Sequence, residues 1–323
     1  MAVNAYTESE KNVLKTWLLM SGFLVVVILL GWWLSYYLQN PVILYVAAIG
    51  SVTTNFISYF NSDKIALAVS GAKEADYKNT LHRRAIRAVE NMSIAAGLKK
   101  TPKVYIIQDD AMNAFATGRG PEKSSVAFTT GILEKLNKLE LEGVAAHEIS
   151  HIKNRDILVM TVVVTLVGLI SMVTDFFLRT SITGSTTSNR NNNNAVLVLI
   201  GIALTVFSLI AAYIIQFTIS RKREYLADSS SVLLTRYPEG LASALEKIKN
   251  EAKPLKRAKN ATAHLFISNP DVEADKDRRK KNPFAFVQNM FSTHPPIQKR
   301  IDILREIDQK KKRVTKTGRA VDV

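Results

Sequence analysis

"AAHEISHIKNRDILVMTVVVTLVGLI" occupies residues 145–170. It opens with two histidines four apart and a glutamate beside the first, His147, Glu148 and His151, and within a few residues becomes continuously apolar. Residues four apart on a helix share a face. Two imidazoles so placed can hold one zinc ion, and Glu148 stands where its carboxylate can take a proton from a water that the metal activates. Val144, Ala145, Ala146 and Ile149 supply a packed face for the same helix. From residue 157 to 178 the chain is apolar enough to cross a bilayer, which takes about 20 such residues. A metal-binding helix therefore runs into a membrane span.

Three more apolar runs extend this reading. Residues 17–38, "WLLMSGFLVVVILLGWWLSYYL", carry Trp and Tyr at their ends, as interface anchors do. This run exceeds the length of a signal-peptide core, and no small-residue cleavage site follows it. Residues 42–60 are more polar, and residues 195–219 form the fourth run. Of the 43 Lys and Arg, the turn after residue 38 holds none and the segment 179–194 holds only Arg179 and Arg190. Basic residues concentrate on the cytoplasmic side of a membrane. Both termini and the metal motif are therefore expected in the cytoplasm, with the Asn/Ser/Thr-rich loop 179–194 outside. Asp175 and Asn55 lie within apolar runs and read as residues near the interface rather than proton carriers.

The 323-residue chain is 47% hydrophobic with a mean hydropathy of +0.05, yet its formal charge is +15. Apolar and basic segments must then be separated along the sequence. The absence of cysteine excludes disulfides, thiol catalysis and cysteine-ligated zinc. A basic balance fits nucleic acid or an anionic membrane surface. Because the charge follows the positive-inside pattern, anionic membrane lipids are the expected partner and nucleic acid is not.

The fold class expected is α+β: a helical integral membrane protein with four transmembrane helices and a cytoplasmic domain containing a small β-sheet. Residues 1–60 form a first transmembrane hairpin, 61–156 the first part of the catalytic domain, 157–219 a second hairpin, 220–310 the second part, and 311–323 a basic tail that reads as disordered. Within the domain, residues 63–98 read as one helix and "TPKVYIIQ" as a strand. "MNAFATG" and "SSVAFTTG" read as two short β-runs. Helices are expected over 131–141, 144–155, 220–235 and 239–252, and again over "PIQKRIDILREID". Residues 253–286 read as a basic loop.

A catalytic zinc needs a third protein ligand. The remaining histidines are His82, His264 and His294, and the carboxylate candidates include Glu142, Asp156, Glu224 and Asp228. Glu142, five residues before His147, points away on the same helix. Glu224 and Asp228, in "REYLAD", are four apart. One of them could bind metal while the other orients a zinc histidine through its free ring N–H. Topology favours this pair: Arg155 and Ser220 flank the 157–219 hairpin at the same membrane face, so the hairpin returns the chain to the site.

Together, "AAHEISHIKNRD", "RKREYLAD", "MNAFATG" and "STHPPIQKRI" resemble the HtpX family of bacterial membrane zinc metalloproteases, relatives of the CAAX prenyl endopeptidases. The resemblance covers nearly the whole chain. It implies a thermolysin-like (gluzincin) peptidase core with one Zn2+ per chain. His147, His151 and Glu224 would be the ligands, Glu148 the general base, and Asp228 the partner of His147. Asn113, Ala114, Phe115 and Ala116 would form an edge strand binding substrate as an added β-strand. His294 would stabilise the oxyanion, or else pack before a Pro-started helix, and Arg300 would be structural or assist it. His82 and His264 read as non-catalytic. The resemblance further implies quality control of misfolded or damaged membrane proteins at the inner membrane, alongside an ATP-dependent membrane protease. The rival readings are a CAAX-type prenyl-protein endopeptidase and a non-catalytic metal-containing membrane scaffold. Intact Glu148 argues against the scaffold, because a structural zinc needs no base.

Overall fold

The computed structural model describes residues 5–37, 39–162, 166, 221–251, 267 and 295–317. The run 195–219, residues 163–165 and 167–178 of the run before it, the loop 179–194 and most of 253–286 lie outside the described residues, as do Asp175, His264 and His294.

Two helices form an antiparallel hairpin at the N-terminus, α1 (Ala5–Tyr37) and α2 (Val42–Val69). Both are long and apolar enough to cross a membrane, over residues Asn12–Tyr36 and Val42–Val69. Most of their surface is unburied, and Leu18, Leu29, Val46 and Phe56 are all exposed. In water such a surface is strongly unfavourable; against lipid it is not. The helices approach closely at Gly31, where an added Cβ would lie 2.3 Å from that of Ala47. Asn55 donates to the Met20 carbonyl at 3.0 Å, so it joins the two helices and is buried between them.

Four strands follow in a mixed sheet of order β1-β2-β4-β3: β1 (Lys73–Glu74), β2 (Lys103–Ile107), β3 (Ala114–Gly120) and β4 (Lys123–Thr129). β2 runs parallel to β4, while β1 and β3 are antiparallel to their neighbours. Successive residues point to opposite faces of a strand. Ala114, Ala116, Val126 and Phe128 face a helical core with α3 (Thr80–Ala96), α5 (Lys138–Lys153), α7 (Pro238–Asn250) and α8 (Ile297–Thr317). Phe115 and Ala127 face the other way, onto Ala66 and Leu67 of α2 and onto Met160. Fully burying Phe115 or Phe128 contributes about 1.5–3 kcal/mol each. The second layer thus fastens the sheet to the first hairpin.

Further helices among the described residues are α4 (Thr130–Lys135) and α6 (Arg221–Thr235), and residues 156–162 are also helical. Asn137 starts α5 with a reciprocal capping box: its side chain accepts from the Glu140 amide, and Glu140 accepts from the Asn137 amide. Gly143 lets α5 approach α7, since a Cβ there would come within 2.7 Å of the Leu241 amide nitrogen.

The sequence reading differs from the structure in three elements. The helix expected over 63–98 is two, because α2 continues to Val69 and Gly71 adopts a left-handed turn at φ 66 before β1. The break between α4 and α5 falls at the Asn137 cap, not after residue 141. The basic stretch 311–317, expected to be disordered, continues α8.

Candidate metal centre

Metal-ligating geometry is set on α5, whose residues from Val144 to Ile152 are buried. His147 and His151 project from one face, with ring centroids 4.7 Å apart and planes at 89°. Their Nε2 atoms are 3.2 Å apart. Glu224, on α6, brings Oε2 to 3.8 Å from His147 Nε2 and Oε1 to 3.6 Å from His151 Nε2. Ligand atoms of the three side chains lie within 4.8 Å of one another, and all three residues are buried.

The donor set fits a divalent metal ion. Two nitrogens at about 2.0–2.1 Å from a tetrahedral ion stand about 3.3 Å apart, close to the separation between these rings. The outer ring nitrogens already face carboxylates: Asp228 Oδ1 is 3.0 Å from His147 Nδ1, and Asp156 Oδ2 is 3.1 Å from His151 Nδ1. With a proton on each Nδ1, both Nε2 atoms can offer lone pairs to one divalent ion; in this structure Arg300 Nη2 stands 3.4 Å from His147 Nε2. Charge gives the same answer. The buried carboxylates Glu148, Asp156, Glu224 and Asp228 face the buried guanidinium groups of Arg223 and Arg300. With neutral imidazoles and all four carboxylates ionised, as Glu148 is when it acts as a base, two negative charges remain, which a divalent ion balances.

Local electrostatics prepare the groups differently. Burial pushes His147 down to about 4, helped by the charges of Arg300 and His151. Burial also acts downward on His151, but its bond to Asp156 and the charge of Glu224 outweigh it and raise it to about 9. Burial pushes Glu148 up to about 7, with the Glu224 charge adding and the Ala116 backbone hydrogen bond opposing. A base poised near neutrality suits general acid–base work. On Asp228, burial acts upward but is outweighed by Arg300 and His147, which hold it below the usual carboxylate range.

His151 must lose its proton to ligate a metal. Its raised value means that, below about pH 9, uptake releases that proton. Apparent metal affinity should therefore rise by up to about tenfold per pH unit between pH 6 and 8. Chelator competition at several pH values, with proton release read by calorimetry in two buffers, checks this; a flat profile would contradict it.

Three residues outside the expected ligand set complete the site. Asp156, considered above as a metal carboxylate, instead holds the ring of His151. Asn12 of α1 donates to Asp156 Oδ1 at 2.7 Å and to the Asn154 carbonyl at 3.1 Å. The first hairpin is thus tied to a metal histidine through one side chain. Arg300 grips Asp228 with two bonds, Nε to Oδ2 at 2.9 Å and Nη2 to Oδ1 at 2.8 Å. Outer partners of this kind typically account for 10–100-fold in metal affinity. Asp156→Ala should lower metal affinity by about that factor, and Asn12→Ala should cause a smaller loss of the same sign. Equilibrium dialysis with metal quantification reads both, and unchanged affinity in Asp156→Ala would contradict the role.

β3 lies at the edge of the described sheet, beside Glu148. Asn113, Ala114, Phe115 and Ala116 are all buried in this structure. The Ala114 carbonyl accepts the Ile267 amide at 3.0 Å, the Ala116 backbone bonds Glu148, and the Gly118 amide faces Thr161 Oγ1 at 3.4 Å. Ile267 also accepts from Arg300 Nη1 at 3.1 Å. Elsewhere, His82 accepts the Asp76 amide at the start of α3, and Glu142 accepts from Asn91, so neither joins the centre.

Comparison with known proteins adds an independent observation. The pattern of peptidase family M48 matches residues 79–308. A protease HtpX homolog of Caldanaerobacter subterraneus subsp. tengcongensis is 42% identical over 309 residues, covering 94% of this chain and 97% of that protein. One from Dictyoglomus thermophilum is 38% identical over 314 residues, covering 97% and 98%. Among solved structures, Ste24p of S. mikatae aligns at 16% identity with a TM-score of 0.46, over 93% of this chain and 67% of that one.

Proposed function

The chain belongs to peptidase family M48 and is a metalloprotease, and from that premise we propose that it is a four-span zinc endopeptidase of the cell inner membrane. Its substrates are misfolded or damaged membrane proteins, cut at the cytoplasmic face. The observation that carries this reading is the buried His147–His151–Glu224 cluster, with the base Glu148 beside it on a helix that leads into an apolar run. Lys and Arg placement supports a cytoplasmic site, and the apolar runs 157–178 and 195–219 supply the second hairpin.

Zinc held by His147, His151 and Glu224 would supply Lewis-acid polarisation of the scissile carbonyl and of the attacking water. Two imidazoles and one carboxylate suit zinc among divalent ions. Glu148 takes the proton from that water and passes it to the leaving amine. Asp228 and Asp156 keep both imidazoles in the tautomer that leaves Nε2 free. Arg300 holds Asp228 in place and brings positive charge to the site, its Nη1 lying 3.6 Å from Glu224. Backbone groups of Ala114 and Ala116 receive an extended peptide at the edge of β3, for which the Ile267 amide must leave Ala114. A folded domain cannot offer such a strand, so unfolded segments are selected. An ATP-dependent membrane protease would act on the same class of substrate.

Reconstituted enzyme should cleave a single-span membrane protein whose cytoplasmic domain is unfolded, and spare the same protein with that domain folded. Electrophoresis and mass spectrometry of the products read both. Equal cleavage of the two, or cleavage confined to prenylated C-terminal peptides, would overturn the substrate assignment.

A further inference from the structure

A second built feature lies where the β3–β4 hairpin meets the ends of α3 and α5 and Tyr59 of α2. A hollow of about 520 Å³ is walled by Lys99, Arg119, Lys123, Lys153 and Arg155, with Glu122 the acid among its lining residues. The size falls within the roughly 300–1,000 Å³ of small-molecule sites. The five cations come from four parts of the fold: the turn after α3, the β3–β4 hairpin, the end of α5 and the start of the following apolar run. They do not form one solvated helix face; the fold gathers them.

Their height relative to the membrane is fixed by aromatic residues. Tyr59 also lines the hollow and stacks on Trp17, with ring centroids 5.8 Å apart. Trp17 begins the first apolar run and Tyr59 lies one residue before the end of the second, residues 42–60, with α2 continuing to Val69, so the pair stands toward the cytoplasmic side of the hairpin. Arg119 is held against the same aromatic cluster, its Cζ 5.7 Å from the Tyr59 centroid and 4.9 Å from that of Phe60. Arg155 turns the chain from α5 toward the membrane at φ 56. Gln39 and Arg236, away from the hollow, share this left-handed conformation, so the turn serves here only to bring the Arg155 side chain to the hollow.

We propose that this hollow binds the phosphodiester headgroup of an anionic phospholipid of the inner leaflet. Arg119, positioned by its aromatic partners, and Arg155 offer forked N–H groups to the phosphate. Lys99, Lys123 and Lys153 supply the surrounding charge, and the acyl chains extend along the exposed apolar faces of α1 and α2. The proposal rests on the membrane placement stated above. It adds a specific lipid site in contact with the loop that ends β3, the strand beside Glu148.

The test uses the full chain with Trp32→Phe and Trp33→Phe, which leaves Trp17 as the sole tryptophan beside the site. It is reconstituted in vesicles mixing phosphatidylcholine and phosphatidylglycerol, one of the two carrying brominated acyl chains, and quenching of Trp17 gives the relative association of the two lipids. Phosphatidylglycerol should be preferred by about fivefold or more. Adding Lys123→Gln and Arg155→Gln should bring the preference close to unity. The charge-matched pair Lys78→Gln and Lys138→Gln, outside the hollow, should retain it. An equal preference in both pairs of variants would assign the effect to diffuse charge and overturn the site. Loss of the preference on adding millimolar inorganic phosphate would make this a free-phosphate site and overturn the lipid assignment. Absence of quenching by either lipid would overturn the membrane placement, and the site with it.

Discussion

Replacing Glu148 with Gln should lower the rate of peptide cleavage by about 10²–10⁴-fold or more while leaving one metal ion per chain. The two effects separate because Glu148 is not among the three clustered ligands. Gln matches Glu in shape, and its carbonyl oxygen can still accept the Ala116 backbone bond that Glu148 receives. Removing a carboxylate that burial already pushes up to about 7, in part against Glu224, costs the fold little. What disappears is the acceptor for the water proton. Metal content and cleavage measured on one preparation decide the matter; a metal-loaded variant with undiminished activity would remove Glu148 from the chemistry.

Arg300→Ala should have the largest effect on stability. Arg300 is 1% exposed and makes two charged bonds to Asp228, which is itself 2% exposed. Truncating it leaves a carboxylate buried without its counter-charge and the Ile267 carbonyl without its donor. Breaking a buried pair in this way costs about 3–5 kcal/mol. For a domain of this size that corresponds to a fall in Tm of about 10 °C. Lysine should restore only part of the loss, because an ammonium cannot reproduce the planar fork. Adding Asp228→Asn to Arg300→Ala should recover part of the stability by removing the stranded charge, while metal affinity stays low because His147 has lost its carboxylate. Thermal melting in detergent with metal quantification reads these outcomes. An Arg300→Ala protein as stable as the parent would contradict the arrangement.

The parts of this site visible in the sequence are those encoded within single helices. His147, Glu148 and His151 share a face of α5, and Glu224 and Asp228 share a face of α6, so residue type and a spacing of four suffice. The joining of the two helices was legible through the apolar runs between them, which imply a hairpin returning to one side. Asp156 was visible only as a nearby acid, since nothing local shows that it meets the Nδ1 of His151. Asn12 was not identified at all: its contact with Asp156 spans 144 residues, and an isolated polar residue ahead of an apolar run has no periodicity to mark it. Arg300 was singled out as structural or as an aid to the oxyanion, but its fork on Asp228 closes over 72 residues. Secondary structure shows the same division. β2, β3 and β4 are legible as short β-type runs, whereas β1 with the Gly71 turn and the Asn137 cap interrupt segments whose apolar spacing alone continues through them.

The most direct test of the central claim is a zinc titration of the metal-free full chain, with bound zinc and cleavage of an unfolded protein measured in each sample. Activity should rise in proportion to bound zinc and level off at one ion per chain. Cleavage by the metal-free protein, or a folded chain carrying one zinc at this site that cuts nothing, would contradict it.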